Sequence, residues 1–181
     1  MTLTPKGEAR RSALLDAVLR VLEREGPGAV THRSVAAEAG VPVAAATYYF
    51  ADLDDLYLSA LRRATEEETA LLAGIDASDL RAVARLIQRW ANEDRGAALA
   101  QYELMFLAMR RTALRAEAQA WYGALEHAID PEGSHPAQTR VRSLAIDGLL
   151  LKILWLGEPH GVDDIESALA EIVRTTSTTS A

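Results

Sequence analysis

The side chains able to do chemistry are few and unevenly placed. The four histidines, His32, His127, His135 and His160, are scattered, and the chain lacks the two Glu-x-x-His pairs that a di-iron carboxylate bundle needs. It has no glycine-rich phosphate loop and no Gly-x-Ser-x-Gly elbow. With no cysteine, disulfides, thiolate ligands and thiol nucleophiles are excluded. Spacing singles out no Ser, His and Asp set, so no enzyme, no metal site and no cofactor is expected. What the sequence does concentrate is contact chemistry. It offers a hydroxyl, an imidazole and a guanidinium at Thr31, His32 and Arg33. Methyls follow at Val43, Ala44 and Ala45, then a hydroxyl at Thr47 and phenols at Tyr48 and Tyr49. Such a set can touch a polar polymer without transforming it.

The elements that would carry these groups are legible in THRSVAAEAGVPVAAATYYF, residues 31–50. Val35, Ala36 and Ala39 give a short helix one apolar side, and Thr31 is its expected N-cap. That helix start is also a natural seat for an anion. Gly40 can take a positive φ without a Cβ clash. Val41 follows as a buried plug, and Pro42 stands at a first-turn position whose N–H needs no partner. A second short helix is expected from Val43 to Tyr49. Helix, glycine turn, helix is the pattern whose second helix lies in the DNA major groove. That helix offers neither amide nor guanidinium, so Ala44, Ala45 and Thr47 are expected to face bases through methyls and close backbone approach. Val43 falls at the rim, and Tyr48 and Tyr49 reach phosphates and fix register. Ala46 and Phe50 belong to the core of this small head.

Across roughly Ala9 to Leu61 the chain resembles the tetracycline-repressor (TetR) family of bacterial transcription regulators. Thr31, Arg33, Val35, Ala36, Ala39, Gly40 and Val41 match that family's T-x-R-x-[VL]-A-x-x-[AL]-G-V signature. After a six-residue stretch Tyr48, Tyr49 and Phe50 match its aromatic pair and Phe. The resemblance implies a dimer that binds a palindromic operator, with half-sites about one turn, roughly 34 Å, apart. It further implies a repressor released when a small molecule fills the body. Arg33 then stands where family members reach a base or phosphate, and would carry much of the base-specific readout. One departure is Leu53, where the family often has a phosphate-binding Lys; Asp52, Asp54 and Asp55 surround it. That departure keeps an alternative open, a ligand-binding or protein-interaction module with a vestigial DNA-binding head.

Charge bears on the same question. The 181 residues carry a net −7, yet through Phe50 six Lys/Arg face five Asp/Glu, so the acidity belongs to the remainder. A nearly neutral head can bind DNA with few phosphate contacts and a shallow salt dependence. Hydrophobic content of 49% and charged content of 25% suit a soluble globular chain. The N-terminus has no apolar core region, and the most apolar run, residues 148–157, is too short to span a membrane. A cytoplasmic protein with no membrane partner is expected.

Alanine and leucine at helical spacing predict an all-α fold. The sequence divides into a helix-turn-helix domain over 1–51, a helical ligand-binding and dimerisation domain over 52–174, and a disordered polar tail over 175–181. The first helix is expected from about Lys6 to Glu25, and the fourth, capped by Asp52 with Asp55 as partner, reaches about Leu72. Five more are expected over 79–92, 95–111, 113–129, 137–156 and from Asp163 or Asp164 onward. The helix over 95–111 is apolar nearly all round, which predicts a buried central helix. Trp90, Tyr102, Met105, Phe106, Met109, Trp121 and Tyr122 suffice as core residues, or line a cavity for a small apolar ligand around that helix. Glu103 favours the cavity, because a carboxylate there needs Arg110 or a cationic ligand. The last two helices are more apolar than one subunit needs. Val141, Leu144, Gly148, Leu149 and Lys152 on one, and Ile165, Leu169 and Ile172 on the other, are the expected four-helix interface of a homodimer.

Overall fold

Most of the expected helix starts and stops recur among the described residues, with differences at α3, α6 and α9. The computed structural model describes residues 4–157 and 160–177, and nine α-helices lie among them. α1 (Pro5–Glu25) starts where the Thr4 hydroxyl accepts the Gly7 N–H at 3.2 Å. It buries Leu14, Leu15, Val18, Val21 and Leu22 on one stripe. α2 (His32–Glu38) and α3 (Val43–Tyr49) follow, separated by Gly40 at φ +66°. Pro42 is the residue before α3 rather than its first turn, in extended conformation. α4 (Leu53–Leu72) opens with the Asp52 cap expected, Asp55 N–H donating to Asp52 at 2.9 Å, while the Asp55 carboxylate accepts from Ala51 N–H, one residue before the cap, at 3.0 Å.

Contacts sort the described residues into two compact units. The first holds the chain up to Glu66 together with Gly96–Gln119, the second Glu67–Arg95 together with the chain from Ala120 onward. This differs from the division expected at 51/52. Leu56, Tyr57, Ala60 and Leu61 of α4 are buried in the same apolar cluster as α1, α2 and α3. Within that unit the Tyr57 hydroxyl donates to the Pro27 carbonyl at 2.9 Å, and the Arg111 guanidinium lies 5.1 Å over the Tyr57 ring while pairing with Asp54.

The helix expected over 95–111 is shorter and less buried than its composition suggests. α6 (Arg95–Leu107) buries only Ala100 and Leu104 fully. The chain then tightens, Arg110 N–H reaching the Leu107 carbonyl at 3.0 Å. Phe106 is 46% exposed and Met109, beyond the helix, 72%. An apolar circumference permits burial on every side without supplying the neighbours.

In the second unit α5 (Leu80–Asn92) packs on both α8 (Pro136–Leu156) and α9 (Val162–Ser177), which also pack on each other. Arg81 fastens α5 to α9 through Asp163 at 2.9 Å and Glu166 at 2.6 Å. α7 (Arg115–Ile129) is joined to α8 by a loop that Asp130 ties, accepting from Ser134 N–H, His135 N–H and the Thr139 hydroxyl. Gly157, at φ +68°, closes α8 with its N–H on the Ile153 carbonyl. α9 begins at Val162, so Asp163 and Asp164 lie in its first turn rather than before it. It continues through Thr175, Thr176 and Ser177, which the sequence assigned to a disordered tail. Thr176 and Ser177 turn their hydroxyls back onto the Ile172 and Val173 carbonyls at 2.8 Å. The rest of that tail, 178–181, lies outside the described residues. No described helix is long and apolar enough to cross a membrane.

Candidate nucleic-acid interface and ligand cavity

Thr31 and Ser34 form a reciprocal cap at the start of α2, Ser34 N–H donating to the Thr31 hydroxyl at 3.0 Å and Thr31 N–H to Ser34 at 2.9 Å. The turn to α3 is closed by Val41 N–H on the Ala36 carbonyl at 2.9 Å. Val35, Ala36, Ala46 and Phe50 are fully buried, which sets the rotation of both short helices. Ala46 and Phe50 thus sit in the core as expected, and Val41 is half-buried against it.

That rotation sorts the predicted contact residues. Arg33, Val43, Ala44, Thr47 and Tyr48 are exposed, Tyr48 to 65%. Ala45 and Tyr49 are half-buried, Tyr49 against the head's core and edge-on to Tyr48 at 5.0 Å. The Thr47 hydroxyl donates back to the Ala44 carbonyl at 3.2 Å, leaving its lone pairs and methyl outward. Thr31 is exposed, but its oxygen is occupied by the cap. His32 points inward: its half-buried Nε2 donates to the Phe50 carbonyl at 3.1 Å, tying the start of α2 to the end of α3. Its place among the expected contacts is therefore corrected. A histidine beside an exposed arginine gives no sequence signal of which one turns in.

Few cations on this unit are free. Arg20 and Arg24 both bond Glu38, at 2.7 and 3.0 Å, and hydrogen bonds from these two hold its carboxyl below the usual glutamate range. Arg11 donates to Ser59 and lies 5.4 Å over the Phe50 ring. Lys6, Arg10 and Arg33 make no ion pair among the described residues. Leu53 packs on the core, while Asp52 and Asp55 are spent on the α4 cap and Asp54 on Arg111.

The second unit contains a partly open cavity of about 530 Å³. It is bounded by the end of α4 at Leu72, the following loop, and α5, α7, α8 and α9. Its wall is mainly aliphatic, with Ile75, Val83, Leu125, Ile146 and Val173, and its charged members are Asp76 and Arg142. Of the residues expected to hold a ligand, Trp90 is in this wall and the other seven are not. Trp121 is buried with its indole N–H on Glu68 at 2.5 Å. The Tyr122 hydroxyl donates to Asp147 at 2.8 Å, and burial followed by that carboxylate pushes the phenol up to about 12. Tyr102, Glu103, Met105, Phe106 and Met109 belong to the first unit. Burial raises the Glu103 carboxyl, and one of its oxygens has no hydrogen-bond partner. Aromatic spacing drew attention to those residues; Arg142, Ile75 and Ile146 carried no comparable signal, since aliphatic residues around a void read as ordinary core.

The expected dimer surface also divides. Val141 and Leu144 are more than half exposed, Gly148 and Lys152 are exposed, and Leu149 is half-buried. Trp155, 85% exposed, extends the same α8 stripe and was missing from the expected set. Ile165 and Leu169 are only 1% exposed, buried in the chain's own core where α9 meets α5 and α8, so they are corrected to core residues. Ile172 is half-buried.

Two family descriptions match the sequence. "Bacterial regulatory proteins, tetR family" covers residues 14–60, and "Tetracyclin repressor-like, C-terminal domain" covers 76–175. A 57-residue stretch is 44% identical to the HTH-type transcriptional dual regulator CecR of Shigella flexneri, spanning 32% of this chain but only 25% of that protein. A TetR-family member from Streptomyces coelicolor superposes with a TM-score of 0.79 at 34% identity, covering 90% of this chain and 97% of that one. The multidrug binding protein EbrR, solved with ethidium, gives 0.77 at 34% identity over 90% and 97%.

Proposed function

The chain belongs to the TetR family of DNA-binding transcriptional regulators, and from that premise we propose that it is a homodimeric, cytoplasmic repressor released from a palindromic operator by a small molecule. The carrying observation is the rotation of α2 and α3. It buries Val35, Ala46 and Phe50 and leaves Arg33, Ala44, Thr47 and Tyr48 together on the outside. Arg33 supplies the bidentate donor set suited to a guanine edge, worth about 1–3 kcal/mol of discrimination. Ala44 and Thr47 present methyls to thymine, and Tyr48 a phenol to phosphate.

Members of this family bind operators as dimers and respond to small molecules. Here the exposed α8 stripe from Val141 to Trp155 is the surface we assign to the second subunit. The cavity is the ligand site, and Leu72, the last residue of α4, forms part of its wall. α4 is one continuous helix whose first residues pack on the head, so a ligand that prefers one position of Leu72 biases the DNA-contacting surface by its differential affinity. EbrR, a multidrug binding protein solved with ethidium, supports a small organic ligand for this body plan.

Gel shift against the DNA flanking the protein's own gene tests this reading, and a retarded band competed by specific but not random duplex is expected. No specific retardation would favour a ligand-binding module with an inactive head. Two heads offering Lys6, Arg10 and Arg33 each give a salt slope of about −5 on logarithmic axes; a slope near −8 would contradict so sparse a phosphate footprint.

A further inference from the structure

The cavity wall is apolar apart from two charges that are held very differently. Asp76 is exposed, and its carboxylate accepts the Ser78 N–H at 2.8 Å in a local turn. Those hydrogen bonds from Ser78 keep it ionised in contact with water. Arg142 is half-buried on α8, and its bonds go to neutral hydroxyls: Nε donates to Thr176 and Nη2 to Ser177, both at 2.8 Å. Among the described residues no carboxylate pairs with it. The Ser177 bond is solvent-exposed and the Thr176 bond part-buried, so the guanidinium stands at the edge of the apolar wall, where its remaining donors can make a charge-assisted bond to an anion. The two hydroxyls orient the fork by accepting from one edge.

We infer that this cavity selects a monoanionic amphipathic ligand, an aromatic or aliphatic body with a single carboxylate seated on Arg142. The inference rests on the ligand-responsive reading above and narrows its ligand to one charge class. A volume of about 530 Å³ accommodates a fused bicyclic or medium-chain body, within the roughly 300–1,000 Å³ usual for such sites. Ile146 and Val173 face the body, and Arg142 alone supplies positive charge.

Isothermal titration with three probes of one shape tests this: 2-naphthoate, 2-naphthalenemethanol and 2-naphthylmethylammonium. The full-length protein is expected to bind the carboxylate about ten- to a hundredfold more tightly than the alcohol, and the ammonium most weakly. Arg142→Met removes the preference and leaves the alcohol unchanged, whereas Arg142→Lys keeps part of it. Ile146→Trp fills the space and weakens all three. Because Arg142 also holds the last turn of α9, the wild-type comparison stands by itself should Arg142→Met fold poorly. Equal affinities, a tighter ammonium, no binding by any probe, or a preference that survives Arg142→Met would each overturn the inference. Titration into the operator complex separates it from the parent reading. A carboxylate that binds selectively without releasing DNA refutes ligand release and leaves the charge preference intact.

Discussion

In the first unit Leu14, Val18, Val35, Ala46 and Phe50 are completely buried, whereas in the second Val83, Ile146 and Val173 border about 530 Å³ of open space. The polar groups that frame the head are also closed on one another: Thr31 with Ser34, His32 with the Phe50 carbonyl, Arg20 and Arg24 with Glu38. The cavity keeps a guanidinium whose partners are two hydroxyls. A void of that size forfeits dispersion contacts that a filled core would gain. Its retention argues that the open volume is used. One region presents a preformed surface and the other leaves room for something to enter.

Adding the same bulk to each region tests this contrast most severely. Ala46→Leu is expected to cost the head about 1–3 kcal/mol, because no neighbour can yield without leaving its rotamer. Ala128→Leu, in the cavity wall, is expected to change stability by less than about 1 kcal/mol and to weaken ligand binding. Urea denaturation of both variants measures the difference, and equal costs would dissolve the distinction.

A smaller effect separates framework from contact within the head. His32→Ala loses one hydrogen bond to Phe50 and is expected to cost about 1 kcal/mol in stability. Base preference should stay the same. A changed preference with unchanged stability would return His32 to the DNA surface.

The smallest effect concerns Glu103. Burial raises its carboxyl above the unfolded value, so the native state keeps the proton to higher pH than the unfolded chain does. Its contribution to stability therefore falls as pH rises from the ordinary glutamate range through the raised value, and is constant below that range. Glu103→Gln should flatten that decline, read from denaturation midpoints at about pH 4 and 7. An unaltered profile would show that the carboxylate is well solvated.

The parts legible in the sequence are those decided within a turn or two of chain. Thr31 as a cap, Gly40 at positive φ, and the Asp52–Asp55 pair each depend on neighbours three or four residues away. Parts decided by distant packing were not legible. The apolar period of α9 announces a buried face, but Ile165 and Leu169 could meet α5 and α8 or another subunit with the same pattern. The Glu66-Glu67-Glu68 run reads as a solvated patch, yet Glu68 turns inward to the Trp121 indole across fifty-three residues. A cavity is legible least of all, since its wall uses the residues of a core and differs only in what is missing between them.

The most direct test selects binding sites from random duplexes with the wild-type protein and with Arg33→Ala. Wild type should return a palindrome with half-sites about one helical turn apart. Arg33→Ala should lose preference at one position per half-site, by about 1–3 kcal/mol, while Thr47→Ala loses less. Identical preferences for wild type and the Arg33 variant, or no enriched palindrome at all, would contradict a head that reads DNA through its exposed α2–α3 face.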